Sequence, residues 1–148
     1  MKNLFPSSKS LCLMNMSSYA VPEGLRYSRE HEWVKVEDNI AIIGITDYAV
    51  KSLHDVVYVS LPEVGLKVDQ GSVAATVESI KAVSEVYSPI EGITVEVNKA
   101  LDMSPEKINT SPYGEGWIFK LKPINLESDV KKLMTSKEYL DYLDSLKK

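Results

Sequence analysis

The sequence predicts a mainly β protein with short helices and a helical C-terminus. Three observations carry this. β-Branched and aromatic residues gather in strand-length runs, among them Ile40-Ala41-Ile42-Ile43-Gly44-Ile45, Val56-Val57-Tyr58-Val59 and Val73-Ala74-Ala75-Thr76-Val77. Proline and glycine punctuate the runs, twice as Pro-x-x-Gly: Pro62 to Gly65 and Pro89 to Gly92. Sustained helical spacing of apolar residues is confined to the stretch beyond Leu126.

Taken in order, Leu25 to Val36 reads as a leading loop and a first strand, with Val34 and Val36 on one face and Trp33 and Lys35 on the other. Glu37-Asp38-Asn39 supplies turn residues, and Ile40–Ile45 returns as its hairpin partner. Thr46 or Asp47 then caps a short helix that places Ala49, Val50 and Leu53 on one side. Val56 to Leu61 is a strand stopped by the first Pro-x-x-Gly. Val73–Val77, with Val86 and Ile93–Val97 after it, makes a hairpin whose tip carries Lys81. The second Pro-x-x-Gly follows Val86-Tyr87 as the first follows Val57-Tyr58, which hints at two related half-units flanking that tip.

Asn98 to Ser104 reads as a helical turn broken at Pro105. Asn109 to Gly116 is rich enough in turn formers to be read as loop. It feeds a last strand in which Trp117, Phe119 and Leu121 face inward. Leu126, Val130, Leu133 and Met134 recur at helical spacing. Thr135-Ser136-Lys137-Glu138 is a capping box that opens a second helix, with Tyr139, Leu140, Leu143 and Leu146 on one side.

The totals set limits on function. A chain of 148 residues fits one domain of ordinary size. Its apolar fraction of 44% and charged fraction of 26% are those of globular proteins. No apolar run approaches the roughly 18 residues that span a bilayer, so no membrane partner is expected. A formal net charge of -4 with no basic cluster argues against nucleic acid. One cysteine, Cys12, excludes an internal disulfide, and with only two histidines, His31 and His54, no metal site is expected. Residues 1–22 hold lysines and serines but no acidic residue, a composition read as a mitochondrial presequence or disordered leader; residues 23–148 form the expected single domain.

A rigid hairpin tip with a lysine on it aims the base of a long side chain and leaves its end free. Glu78-Ser79-Ile80-Lys81-Ala82, with Ser88-Pro89 and Gly92 downstream, resembles the lipoyl attachment site of glycine cleavage system H proteins. The likeness extends from about Leu25 to Tyr142, through His31-Glu32-Trp33-Val34, Gly44 to Ala49, Leu61 to Gly65, Asn98 with Ala100-Leu101, and Asn109 through Ser111-Pro112-Tyr113 to Gly116-Trp117. Biotinyl domains place methionines around the target lysine, and 2-oxoacid dehydrogenase lipoyl domains have Asp-Lys-Ala; Ile80 and Ala82 fit neither. His54 stands where that family often has glycine and Ser60 where it often has an acidic residue, which puts local turn geometry or a docking contact in question.

The resemblance implies a barrel-sandwich hybrid of two antiparallel sheets. It implies lipoic acid in amide linkage on Lys81, with Glu78, Ser79, Ile80 and Ala82 read by the lipoylating enzyme. The lipoyl-lysine swinging arm of such a carrier takes the aminomethyl group of glycine from glycine decarboxylase to a tetrahydrofolate-dependent aminomethyltransferase, then goes to dihydrolipoyl dehydrogenase. No step of glycine catabolism asks for an acid, base or nucleophile from this chain, so the expected role is a non-catalytic carrier, monomeric and in the mitochondrial matrix. Glu32, Glu85 and His31 are the candidate contacts to the loaded arm, because a cationic amine in a desolvated cleft calls for a carboxylate. Two alternatives stay open: a lipoyl donor serving other lipoyl domains, or an unmodified β-rich interaction module.

Overall fold

A computed structural model describes residues 12–14 and 19–146. Strand β1 (Cys12–Met14) pairs antiparallel with β2 (Ala20–Pro22) as a separate ribbon. Strands β3 (Arg26–Tyr27), β4 (Glu32–Glu37) and β5 (Ile40–Ile45) lead into helix α1 (Asp47–Leu53). After it come β6 (Val56–Ser60), β7 (Lys67–Val68), β8 (Val73–Ser79), β9 (Val83–Tyr87) and β10 (Gly92–Val97). Helical turns α2 (Ala100–Met103) and α3 (Lys107–Thr110) precede β11 (Phe119–Pro123), α4 (Leu126–Lys131) and α5 (Ser136–Ser145). The strands form a six-stranded sheet ordered β3-β4-β5-β11-β10-β7 and a three-stranded sheet ordered β6-β8-β9. Every pairing is antiparallel, so the two-sheet expectation holds.

Period-two alternation builds two cores from one sheet. Val34, Ala41, Ile43, Phe119 and Leu121 of the large sheet meet Val59, Ala75, Val77 and Val86 of the small one. Trp33 points the other way, into a second cluster with Val21, Tyr27, Tyr139 and Leu143 beneath α5. Each of these side chains is buried, and each valine, leucine or isoleucine among them stabilises the fold by about 1.5–3 kcal/mol. Gly44 is where the second core needs a missing side chain: a Cβ there would stand 2.7 Å from Trp33 Cε2.

The structure departs from the expectations in several places. Ile93–Val97, read with Val86 as the outgoing arm of the Lys81 hairpin, belongs to β10 of the large sheet, paired with β11 and β7, and the outgoing arm is β9 alone. Leu133 and Met134, read on the first C-terminal helix, lie beyond α4, with Met134 bridging to Tyr27. Asn109 and Thr110, read as loop, lie on α3, a single turn that follows Pro105. Trp117, expected inward with Phe119 and Leu121, packs in the second core with Lys120 over its ring, because regular pleating starts only at Phe119 and Ile118 takes the inner place. The glycines of the two Pro-x-x-Gly stretches do different work: Gly65 has φ +93, whereas Gly92 starts β10 with its Cα pressed near Lys122 O. Residues 19–22, assigned by composition to the leader, are part of the fold, with Val21 wholly buried and Ala20 N–H donating to Asp47 at 2.9 Å. The remainder of that leader, residues 1–11 and 15–18, lies outside the described residues. Among the described residues no helix is long and apolar enough to cross a membrane.

Candidate functional site

Lys81 is exposed on the four-residue turn Ser79–Ala82 that joins β8 to β9. Tight hairpins are usually closed with glycine or asparagine at positive φ, but no residue of this turn has positive φ. Ser79 closes it instead. Its backbone N–H donates to Ala82 O at 2.8 Å, and its hydroxyl oxygen accepts the N–H groups of Lys81 at 3.1 Å and Ala82 at 3.0 Å. From the connection that precedes β6 the turn is held by Asp55, whose carbonyl accepts the Ile80 N–H at 3.1 Å.

Of the residues predicted to flank the site, Glu78, Ile80 and Ala82 are exposed around Lys81, Ile80 at 70%. Ser79 is the exception, buried as the clasp. Across the outer face of the small sheet, Tyr58, Glu78 and Val83 lie in one cross-strand row beside the tip. Lys81 takes part in no ion pair among the described residues.

Glu32 and Glu85 converge on one residue, Tyr87. Glu32 begins β4 on the same parity as Val34, so its side chain enters the space between the sheets and meets β9. It is 1% exposed. Its Oε2 accepts the Tyr87 N–H at 3.0 Å, and its Oε1 accepts the Ser28 hydroxyl. Burial pushes the Glu32 carboxyl up to about 7, against the opposing pull of those two hydrogen bonds. The Tyr87 hydroxyl donates to Glu85 Oε1 at 3.0 Å. Glu30 lies alongside, lining with Gly71 and Tyr87 a cleft of about 240 Å³. The sequence reading passed over Tyr87 and Glu30; Tyr87 could have been found from its parity with Glu85 on β9.

His31 goes elsewhere. It precedes β4 with φ 74, and its ring packs against Tyr48, Tyr139 and Tyr142 under α5. Nδ1 lies 2.8 Å from the Tyr139 hydroxyl, which also meets Thr46 Oγ1 at 2.7 Å. Burial holds the imidazole down at about 4. This network anchors the C-terminal helix and stands apart from the Glu32–Tyr87 contact.

The arrangement is a fixed lysine on an open tip, with two carboxylates along the strand that leaves it. Among the described residues no group of three His, Cys, Asp or Glu side chains is placed to hold a metal.

The model of the family described as "Glycine cleavage H-protein" matches residues 25–146. A protein of Pyrococcus furiosus described as a probable glycine cleavage system H protein is 54% identical over 135 residues, covering 90% of this chain and all of the relative. A glycine cleavage system H protein of Acinetobacter baumannii is 50% identical over 118 residues, 80% of this chain and 94% of its own. The crystal structure of a glycine cleavage system H protein from Mycobacterium marinum superposes with a TM-score of 0.75 at 38% identity, covering 82% of this chain and 97% of that one.

Proposed function

The chain belongs to the glycine cleavage H-protein family, and from that membership we propose that lipoic acid is carried in amide linkage on Lys81. It is the lipoyl carrier of the glycine cleavage system, a component that performs no catalysis itself. The observation that carries the Lys81 assignment is a solvent-exposed lysine on a turn whose backbone is fixed on both sides, by Ser79 and by Asp55. The base of the side chain is thus ordered while its amine is open to a modifying enzyme. Glu78, Ile80 and Ala82 form the exposed rim that such an enzyme would read.

Once attached, the lipoyl group supplies a sulfur that accepts and releases an aminomethyl group and is reoxidised afterwards. This chain's residues aim and shelter it. Glu85 and Tyr87 lie along β9 on the way from the tip, Tyr87 about 13 Å from Val83 at strand rise, and would be the residues to hold an arm folded back from Lys81. There Glu85 and Glu32 offer carboxylates to a cationic amine, and the between-sheet position of Glu32 excludes water. A cation arriving there favours the ionised form of Glu32, so docking of the loaded arm would release a proton. His31 enters this reading only as the residue that fixes the start of β4. Glycine decarboxylase, aminomethyltransferase, dihydrolipoyl dehydrogenase and a lipoylating enzyme are the partners that follow.

Intact-mass and peptide mass spectrometry after incubation with a lipoylating enzyme, lipoate and ATP test the assignment. The lipoyl increment is expected on Lys81 and is absent from Lys81→Arg, which keeps the wild-type circular dichroism because the side chain is exposed. An increment on another lysine, or full carrier activity in Lys81→Arg, would overturn it. A mitochondrial location is a proposal that rests on leader composition alone, since the relatives named above are archaeal and bacterial. N-terminal sequencing of protein purified from its source cells tests it: a start between residues 15 and 19 supports processing, and a start at Met1 refutes it.

A further inference from the structure

The Lys81 turn hangs on a short piece of backbone that is itself held from a distant part of the chain. Residues 54–56 connect α1 to β6, and the Asp55 carbonyl in their middle accepts the Ile80 N–H. Strand β6 is an outer strand of the three-stranded sheet, so one of its edges lacks a ladder partner. The carboxamide of Asn109 fills that gap. Asn109 Oδ1 accepts the Val56 N–H at 2.9 Å, and Asn109 Nδ2 donates to His54 O at 2.7 Å. The two bonds bracket Asp55.

The clasp works against strain. His54 has φ 65 and ψ -146, a backbone conformation that is essentially glycine's. Without the bracket, residues 54–56 have reason to relax and carry the Asp55 carbonyl with them. Asn109 is firmly seated: it lies on α3, and the following loop closes over that turn so tightly that a Cβ on Gly116 would stand 2.7 Å from Lys107 O.

The geometry points to Asn109 as a positioning residue for the modification of Lys81, acting through the Asp55 carbonyl on the backbone of the turn. This rests on Lys81 being the attachment point. A lipoylating enzyme that binds an ordered turn does not have to order it, so loosening the turn lowers the fraction of competent substrate and raises KM, with kcat unchanged.

The test uses the full chain as substrate for a lipoate–protein ligase, with kcat and KM measured for wild type, Asn109→Ala, Asn109→Asp and Leu143→Ala. Leu143→Ala is the control, destabilising the second core away from the turn. Asn109→Ala is expected to raise KM about tenfold at constant kcat, and to speed exchange of the Ile80 amide by a similar factor while the central-strand Val77 amide keeps its protection. Asn109→Asp keeps the acceptor for Val56 and loses the donor to His54, so it falls between wild type and Asn109→Ala. An unchanged KM, an equal rise in Leu143→Ala, or parallel loss of protection at Ile80 and Val77 overturns the proposal. Wild type left unmodified at Lys81 brings down the attachment reading and this one together; a modified wild type with unaffected Asn109 variants brings down this one alone.

Discussion

His31 and Glu32 are neighbours whose protonation equilibria burial displaces in opposite directions. The Glu32 carboxyl is raised from 4.5 to about 7, so its contribution to stability is fully present below 4.5 and is lost as pH rises through about 7. The His31 imidazole is lowered from 6.5 to about 4, so its contribution is present above 6.5 and is lost as pH falls through about 4. The two slopes oppose each other between pH 4.5 and 6.5. Glu32→Gln keeps an acceptor for Tyr87 N–H and removes the titration; relative to wild type it should lose stability as pH falls from 7 to 4.5, by up to about 3 kcal/mol. His31→Asn suits the positive φ of 74 at that position and should show the reverse, gaining stability relative to wild type on acidification. Urea unfolding followed by tryptophan fluorescence at pH 4.5, 5.5, 6.5 and 7.5 reads both differences. Profiles parallel to wild type would refute the assignment of either group. The separation of the pair was legible in part: strand parity puts Glu32 with Val34, whereas His31 precedes β4 at positive φ, a conformation no local pattern reports.

At the scale of elements, what the sequence makes plain is what local chemistry decides. Thr135 and Glu138 form the capping box read from their spacing, and Thr46 caps α1 as its hydroxyl predicts. The hairpin carrying Lys81 was legible from its incoming run and from Val86, but not its true outgoing strand, since Ile93–Val97 joins the large sheet, nor its closure, because Ser79 does by side-chain hydrogen bonds what glycine does by conformation. Strand β7 has only two residues and exists through its partner β10, a contact no local pattern reports. His54 is the reverse case. Its departure from glycine was visible in the sequence, and the structure shows the consequence at the C-terminal end of α1, a φ of 65. Both bonds from Asn109 reach backbone atoms, so His54→Gly retains them. Relief of strain outweighs the entropy gained by the unfolded chain, and a stabilisation of about 1 kcal/mol is expected, a few degrees in Tm by calorimetry. A lower Tm would mean that the imidazole contributes more than its backbone costs.

The whole molecule separates the two tasks of a carrier into two cores that share one sheet. The first core supports the small sheet and its lysine tip; the second fastens the chain ends, with β2 and α5 closing over Trp33 and Tyr27. Composition assigned residues 19–22 to a leader because no acidic residue precedes Glu23. Their place is fixed by distant partners instead: Asp47 for the Ala20 N–H, the Tyr113 hydroxyl for the Ala20 carbonyl, and the Tyr27 hydroxyl for the Pro22 carbonyl. A chain cut to begin at Glu23 loses the buried Val21 and the three hydrogen bonds made by Ala20 and Pro22, so a loss of about 3 kcal/mol is expected in urea unfolding. A chain cut to begin at Tyr19 keeps all of them and should be more stable than the shorter one. Because the lost contacts belong to the second core, the folded fraction of either should be lipoylated with wild-type KM. Equal stability of the two truncations would show that residues 19–22 contribute nothing to the fold, and a raised KM in the shorter one would show that the two cores are not independent.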